Sequence, residues 1–63
     1  MRNSNVFICQ LSEEHQTEIR MKLSEYFWDE GFTLFEVIES VENAMCDRLW
    51  TIEGLIDIKK YLV

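Results

Sequence analysis

The stretch Phe32–Trp50, FTLFEVIESVENAMCDRLW, decides the fold. Thr33 has the chemistry of an N-cap, because its hydroxyl can accept a hydrogen bond from an amide in the first helical turn. Three residues on, Glu36 can reach back to the Thr33 amide and complete a capping box. Phe32 and Val37 have the spacing of a hydrophobic staple across that cap. Gly31 stands just outside, where a preceding helix needs a residue that accepts positive φ. Beyond the cap, Leu34, Ile38, Val41, Met45, Leu49 and Ile52 fall within one narrow sector of a helical projection, with Val37 beside it. The spacing predicts a helix over 34–51 with that sector buried. Phe35, Cys46 and Trp50 lie on a flank roughly 100–160° from Leu34, counting 100° per residue.

Working back from Gly31, Ser12 offers an N-cap, and Glu13 and Glu14 suit the positive end of a helix dipole. Residues 13–30 then follow a helical period. Ile19, Leu23, Tyr26 and Phe27 share one face, with His15 extending it, whereas Met21 and Trp28 fall roughly opposite. Two helices joined by so short a linker make an antiparallel hairpin or a helix-turn-helix crossing.

The flanks are shorter. Residues 1–4 have the character of a frayed terminus. Residues 5–10, NVFICQ, are β-branched and aromatic, which predicts a strand. A strand needs a partner, either the C-terminal tail or a second copy of the chain. Residues 55–62 admit two readings: Ile56-Asp57-Ile58 alternates like a strand, while Leu55, Ile58 and Leu62 suit a short third helix after a break at Gly54. The expected fold is mainly α: an antiparallel two-helix hairpin with a short N-terminal strand and a short C-terminal strand or third helix (small α+β). One small domain spans 1–63.

A composition of 48% apolar residues, with no Pro and two Gly, favours a folded chain over a disordered one. A chain of 63 residues nevertheless buries only ~60% of its unfolded surface and commonly needs support from a disulfide, a metal or a partner. Two cysteines, Cys9 and Cys46, are too few for a disulfide scaffold. No signal peptide and no transmembrane run is visible. A cytoplasmic protein with reduced thiols in core or semi-buried positions is the expectation, and a homodimer is the remaining support.

Twelve acids against six bases give a net charge of −6. Such a body repels the phosphate backbone and anionic membrane surfaces, so neither nucleic acid nor membrane is an expected direct partner. As a recognition helix, the second helix would present Glu36, Glu39, Glu42, Asn43 and Asp47 with Arg48 as its one base, which repels DNA. The acids Glu36, Glu39, Glu42 and Asp47 support another reading: an acidic inhibitor that mimics nucleic acid and occupies a basic groove of a nucleic-acid-binding protein.

Chemistry finds little purchase. Cys9, Cys46 and His15 lack the close spacing of zinc ligands. Cys46 and His15 form a nucleophile–base pair only if the fold brings them together. The pairs Glu39/Glu42 and Glu14/Glu18 are more simply solvated charge on helix faces, and no phosphate-binding loop is present. A non-enzyme without metal or cofactor is expected. The most specific surface feature is the aromatic and Met set Met21, Trp28, Phe35 and Trp50. Residues of these types gather at interface cores, and one small core rarely covers two faces of both helices. The set is expected to form a contact between chains, a homodimer first.

The runs Glu42-Asn-Ala-Met45, Asp47-Arg-Leu49, Ile56-Asp57-Ile58 and Lys60-Tyr61 resemble small uncharacterised bacterial proteins of phage or mobile-element type. The resemblance covers the last third of the chain. It implies a small accessory or regulatory protein and assigns no residue a role.

Overall fold

Two helices, α1 (Glu13–Asp29) and α2 (Leu34–Met45), pack on each other as a hairpin in a computed structural model that describes residues 6–61. Residues 1–5 and 62–63, which include the expected frayed start, the first residue of the expected strand and Leu62, lie outside the described residues.

The ends of both helices are fixed by local chemistry. The Ser12 hydroxyl accepts from the His15 amide at 3.2 Å, and Glu13 and Glu14 occupy the first turn of α1. At the other end Gly31 adopts φ +92°, a region costly for residues with a Cβ. Its amide donates to the Trp28 carbonyl at 3.1 Å, and the Phe32 amide reaches back to the Phe27 carbonyl at 3.2 Å. That pair of bonds is a Schellman closure. Phe32, expected to staple onto Val37, lays its ring on Phe27 with centroids 5.2 Å apart. The capping box of α2 forms as its spacing requires: Thr33 Oγ1 accepts from the Glu36 amide, and Glu36 Oε1 accepts from the Thr33 amide at 2.9 Å.

Helix α2 stops at Met45 and does not continue to 51. The N-terminal segment is the cause. The Ile8 amide donates to the Asp47 carbonyl at 3.0 Å and the Leu49 amide to the Val6 carbonyl at 2.7 Å, forming a single antiparallel bridge between Phe7 and Arg48. Asp47 Oδ1 also accepts from the Arg48 amide at 2.7 Å, offering that amide an alternative to the helix. The chain then re-coils as a 3-10 turn over Leu49–Ile52, which carries Leu49 and Ile52 into the core.

The expected strand over 5–10 is therefore corrected. Among the described residues it is one bridge at Phe7, followed by a 3-10 turn over Ile8–Gln10. Its partner is the segment after α2, neither the tail nor a second copy. Among the described residues the tail forms neither a strand nor a regular helix, and Lys59–Tyr61 make a 3-10 turn.

The core comprises Ile8, Ile19, Leu23, Val37, Val41, Met45, Leu49, Ile52, Ile58 and Tyr61. Tyr61 fixes the tail to α1: its hydroxyl donates to Glu18 Oε1 at 2.9 Å, and its ring meets the His15 ring edge-on at 4.9 Å. Lys60 pairs with the same carboxylate oxygen at 2.9 Å. The N-terminal segment and the tail thus cover the end of the hairpin that holds the start of α1 and the end of α2. Among the described residues, the end next to the Gly31 turn has no such cover. Leu34 and Ile38, expected in the buried sector, are exposed there.

A candidate docking groove between the two helices

Helical repetition builds the groove. On α1, Arg20, Ser24 and Trp28 follow one another at successive turns, and on α2 so do Leu34, Ile38 and Glu42. The helices run antiparallel, so Arg20 faces Glu42 and Trp28 faces Leu34. These six residues, with Glu25, Val37 and Val41, line an open groove of about 470 Å³.

Its middle rung explains why it is empty of side chains. Ser24 is small, and its hydroxyl turns back to donate to the Arg20 carbonyl of its own helix at 2.8 Å. No bulky residue on α1 therefore reaches towards Ile38. Val37 and Val41, both core residues, give the groove an apolar floor. Trp28, Leu34 and Ile38 are its exposed walls. One end is closed by the ion pair between Arg20 and Glu42, and Glu25 is the other acid on the rim.

The four residues expected at an interface are all exposed, but they do not form one cluster. Met21 is 62%, Trp28 60%, Phe35 74% and Trp50 42% exposed. Trp28 lines the groove. Met21 lies one turn from Ser24 and Glu25 on α1, and Phe35 lies one turn from Ile38 on α2, so both flank it. Trp50 sits in the 3-10 turn after α2 and is not part of the lining. Sequence reasoning missed Leu34 and Ile38, at 65% and 54% exposed, because it assigned both to the core stripe.

The four acids expected to act as one surface are largely engaged within the chain. Glu36 caps its own helix, Glu42 pairs with Arg20, and Asp47 accepts from the Arg48 amide. Glu39 is exposed on α2, one turn from both Phe35 and Glu42. The two thiols differ from expectation as well: Cys9 and Cys46 are both exposed rather than packed in or near the core. Cys9 lies within the 3-10 turn over Ile8–Gln10, and Cys46 directly follows α2, where the backbone bonding of 47–49 turns the chain out of the helix. His15 is half-buried against Tyr61. Among the described residues, no three of His, Cys, Asp or Glu are grouped as a metal ion would need, and no helix is long and apolar enough to cross a membrane.

The remaining electrostatics belong to the tail. Hydrogen bonds from Lys60 and then Tyr61 hold the Glu18 carboxyl below its ordinary range. Burial, reinforced by the bond to Glu18, pushes the Tyr61 hydroxyl up to about 12.

No protein-family model, curated protein or solved structure matches the chain. The likeness to small phage or mobile-element proteins rests on the quoted residues alone.

Proposed function

We propose that the chain is a non-enzymatic protein–protein interaction domain, an accessory or regulatory component that docks on another polypeptide through the outer face of its helical hairpin. One observation carries this reading: the core closes with Val37 and Val41, yet Trp28, Leu34 and Ile38 remain more than half exposed around an open groove. Apolar surface of that extent on a small domain is characteristic of interaction sites. The groove walls are hydrocarbon, and the one hydroxyl among them is bonded to its own helix. That suits recognition better than chemistry. Exposed thiols at Cys9 and Cys46 suit a reducing compartment, the cytoplasm.

Self-association is a form of this reading that the exposed area supports. Aromatic residues bury roughly 150–250 Å² each, so Met21, Trp28, Leu34, Phe35 and Ile38 together offer on the order of 600 Å², close to the roughly 800 Å² per partner of a standard interface. The acidic-mimic reading draws less support, because three of its four acids are already bonded within the chain.

Site-specific photo-crosslinking in the native host tests the proposal. A photoreactive side chain at position 34, on the groove, should give a discrete adduct with another polypeptide or a second copy. The same probe at position 43, on the exposed polar side of α2, should give none. Equal adducts from both positions, or none from either, would overturn it.

A further inference from the structure

We infer that the groove takes an amphipathic helix with basic flanks, supplied by a different protein. This rests on the docking reading above and names the partner's chemistry. Three features of the groove lead to it.

The first is length. From Arg20 to Trp28 the α1 wall spans eight residue steps, or ~12 Å at the helical rise. Anchors at i, i+3 or i+4, and i+7 of a guest helix span nearly the same distance. A third helix laid along α1 and α2 would place its apolar residues over Val37 and Val41, beside Trp28, Leu34 and Ile38. The empty rung at Ser24 gives its middle anchor room.

The second is charge on the rim. Glu25 and Glu42 line the groove, and Glu39 stands one turn from Glu42. Among the described residues Arg20 is the only base in the lining, and it is spent on Glu42.

The third is where three further bases among the described residues lie. Lys22 and Lys60 lie over the Tyr61 ring at 5.7 and 5.5 Å, and Arg48 over the Phe7 ring at 5.2 Å. These sites belong to the tail and the N-terminal bridge, away from the groove. A second copy would therefore bring an acidic rim against an acidic rim, with each chain at −6. Like charges set against each other at an interface suppress that pairing. A guest with Lys or Arg beside its apolar anchors meets Glu25 and Glu39 with the opposite sign, Glu42 being paired with Arg20.

The test titrates the isotope-labelled protein with three synthetic peptides of about 14 residues, close to four helical turns. One is a Leu/Lys peptide with Leu at helical i, i+3, i+4 and i+7 spacing. The second has the same composition in scrambled order, and the third replaces every Lys by Glu. The first should bind saturably, with amide shifts gathered at Ser24, Trp28, Leu34 and Ile38. The other two should bind about tenfold more weakly or worse, as should the first peptide to Ser24→Leu or Ile38→Gln protein. Equal binding of the scrambled peptide, or shifts spread over the acidic surface, would reduce the effect to bulk charge and overturn the inference. Equal binding of the Leu/Glu peptide at the groove would overturn it and leave the docking reading standing. So would failure of all peptides with a dimer by sedimentation that Ile38→Gln dissociates, since a second copy would then be the occupant. Failure of all peptides by a monomer would end both.

Discussion

The hydroxyl of Tyr61 donates to Glu18 Oε1 at 2.9 Å, joining residues 43 positions apart. This bond lies on the face of the hairpin that the chain covers for itself. With Lys60 on the same oxygen and His15 against the ring, it holds the tail on the first half of α1. Ile58 and Tyr61 complete the core there, and nothing of the described chain is left to cover the groove beside the turn.

Tyr61→Phe keeps the ring and removes the bond. A lost hydrogen bond to a charged, partly exposed acceptor should cost about 1–2 kcal/mol, lowering the melting temperature by roughly 4–15 °C in a domain of this size. A melt unchanged from wild type would mean that the tail is held by packing alone.

The same pair sets a pH dependence with two limbs. Tyr61 is raised from 10 to about 12 in the folded chain, so its contribution is complete below pH 10 and is lost as pH rises from 10 to 12. Glu18 is lowered from 4.5, so its contribution is present above pH 4.5 and is lost as pH falls through its folded value. Denaturant titrations across pH should show both losses, and Tyr61→Phe should flatten the alkaline one. An alkaline limb identical in the variant would contradict the assignment.

The turn between the helices gives two separable losses. Thr33→Ala removes the cap of α2 and should cost ~1 kcal/mol. Gly31→Ala should cost about 1–2 kcal/mol, all of it backbone strain at φ +92°, because an added Cβ meets no atom within 4 Å. Equilibrium unfolding of both variants checks this, and a neutral Gly31→Ala would mean that the Schellman closure is not maintained in solution.

The thiols should behave as surface groups. Cys9 and Cys46 are both expected to react with an aromatic disulfide reagent in the folded protein nearly as fast as in denaturant. Protection of either by an order of magnitude or more would place it back in the core.

Much of this was legible in sequence where the signal is local. Ser12, Gly31, Thr33 and Glu36 act on neighbours within a few residues, so both helix starts and the end of α1 follow from spacing alone. The end of α2 does not, because it is set by residues some forty positions earlier: Val6 and Ile8 take the backbone groups of 47–49. The helical period of α2 was also legible, but period cannot tell which part of a stripe receives cover. Val37, Val41 and Met45 are buried, while Leu34 and Ile38 lie beside a serine that leaves a gap. The exposure of Trp28 could be read from its face on α1. The groove could not, since it depends on Ser24 and Ile38 meeting across two helices.

The claim on which the rest depends is that the fold is complete without the exposed walls of the groove, and the melting temperature of Ile38→Gln tests it most directly. As an exposed position the substitution should shift the melt by no more than about 3 °C, whereas Leu23→Ala, in the core, should cost about 3 kcal/mol. A fall of about 10 °C or more for Ile38→Gln would show Ile38 buried by its own chain and contradict the account.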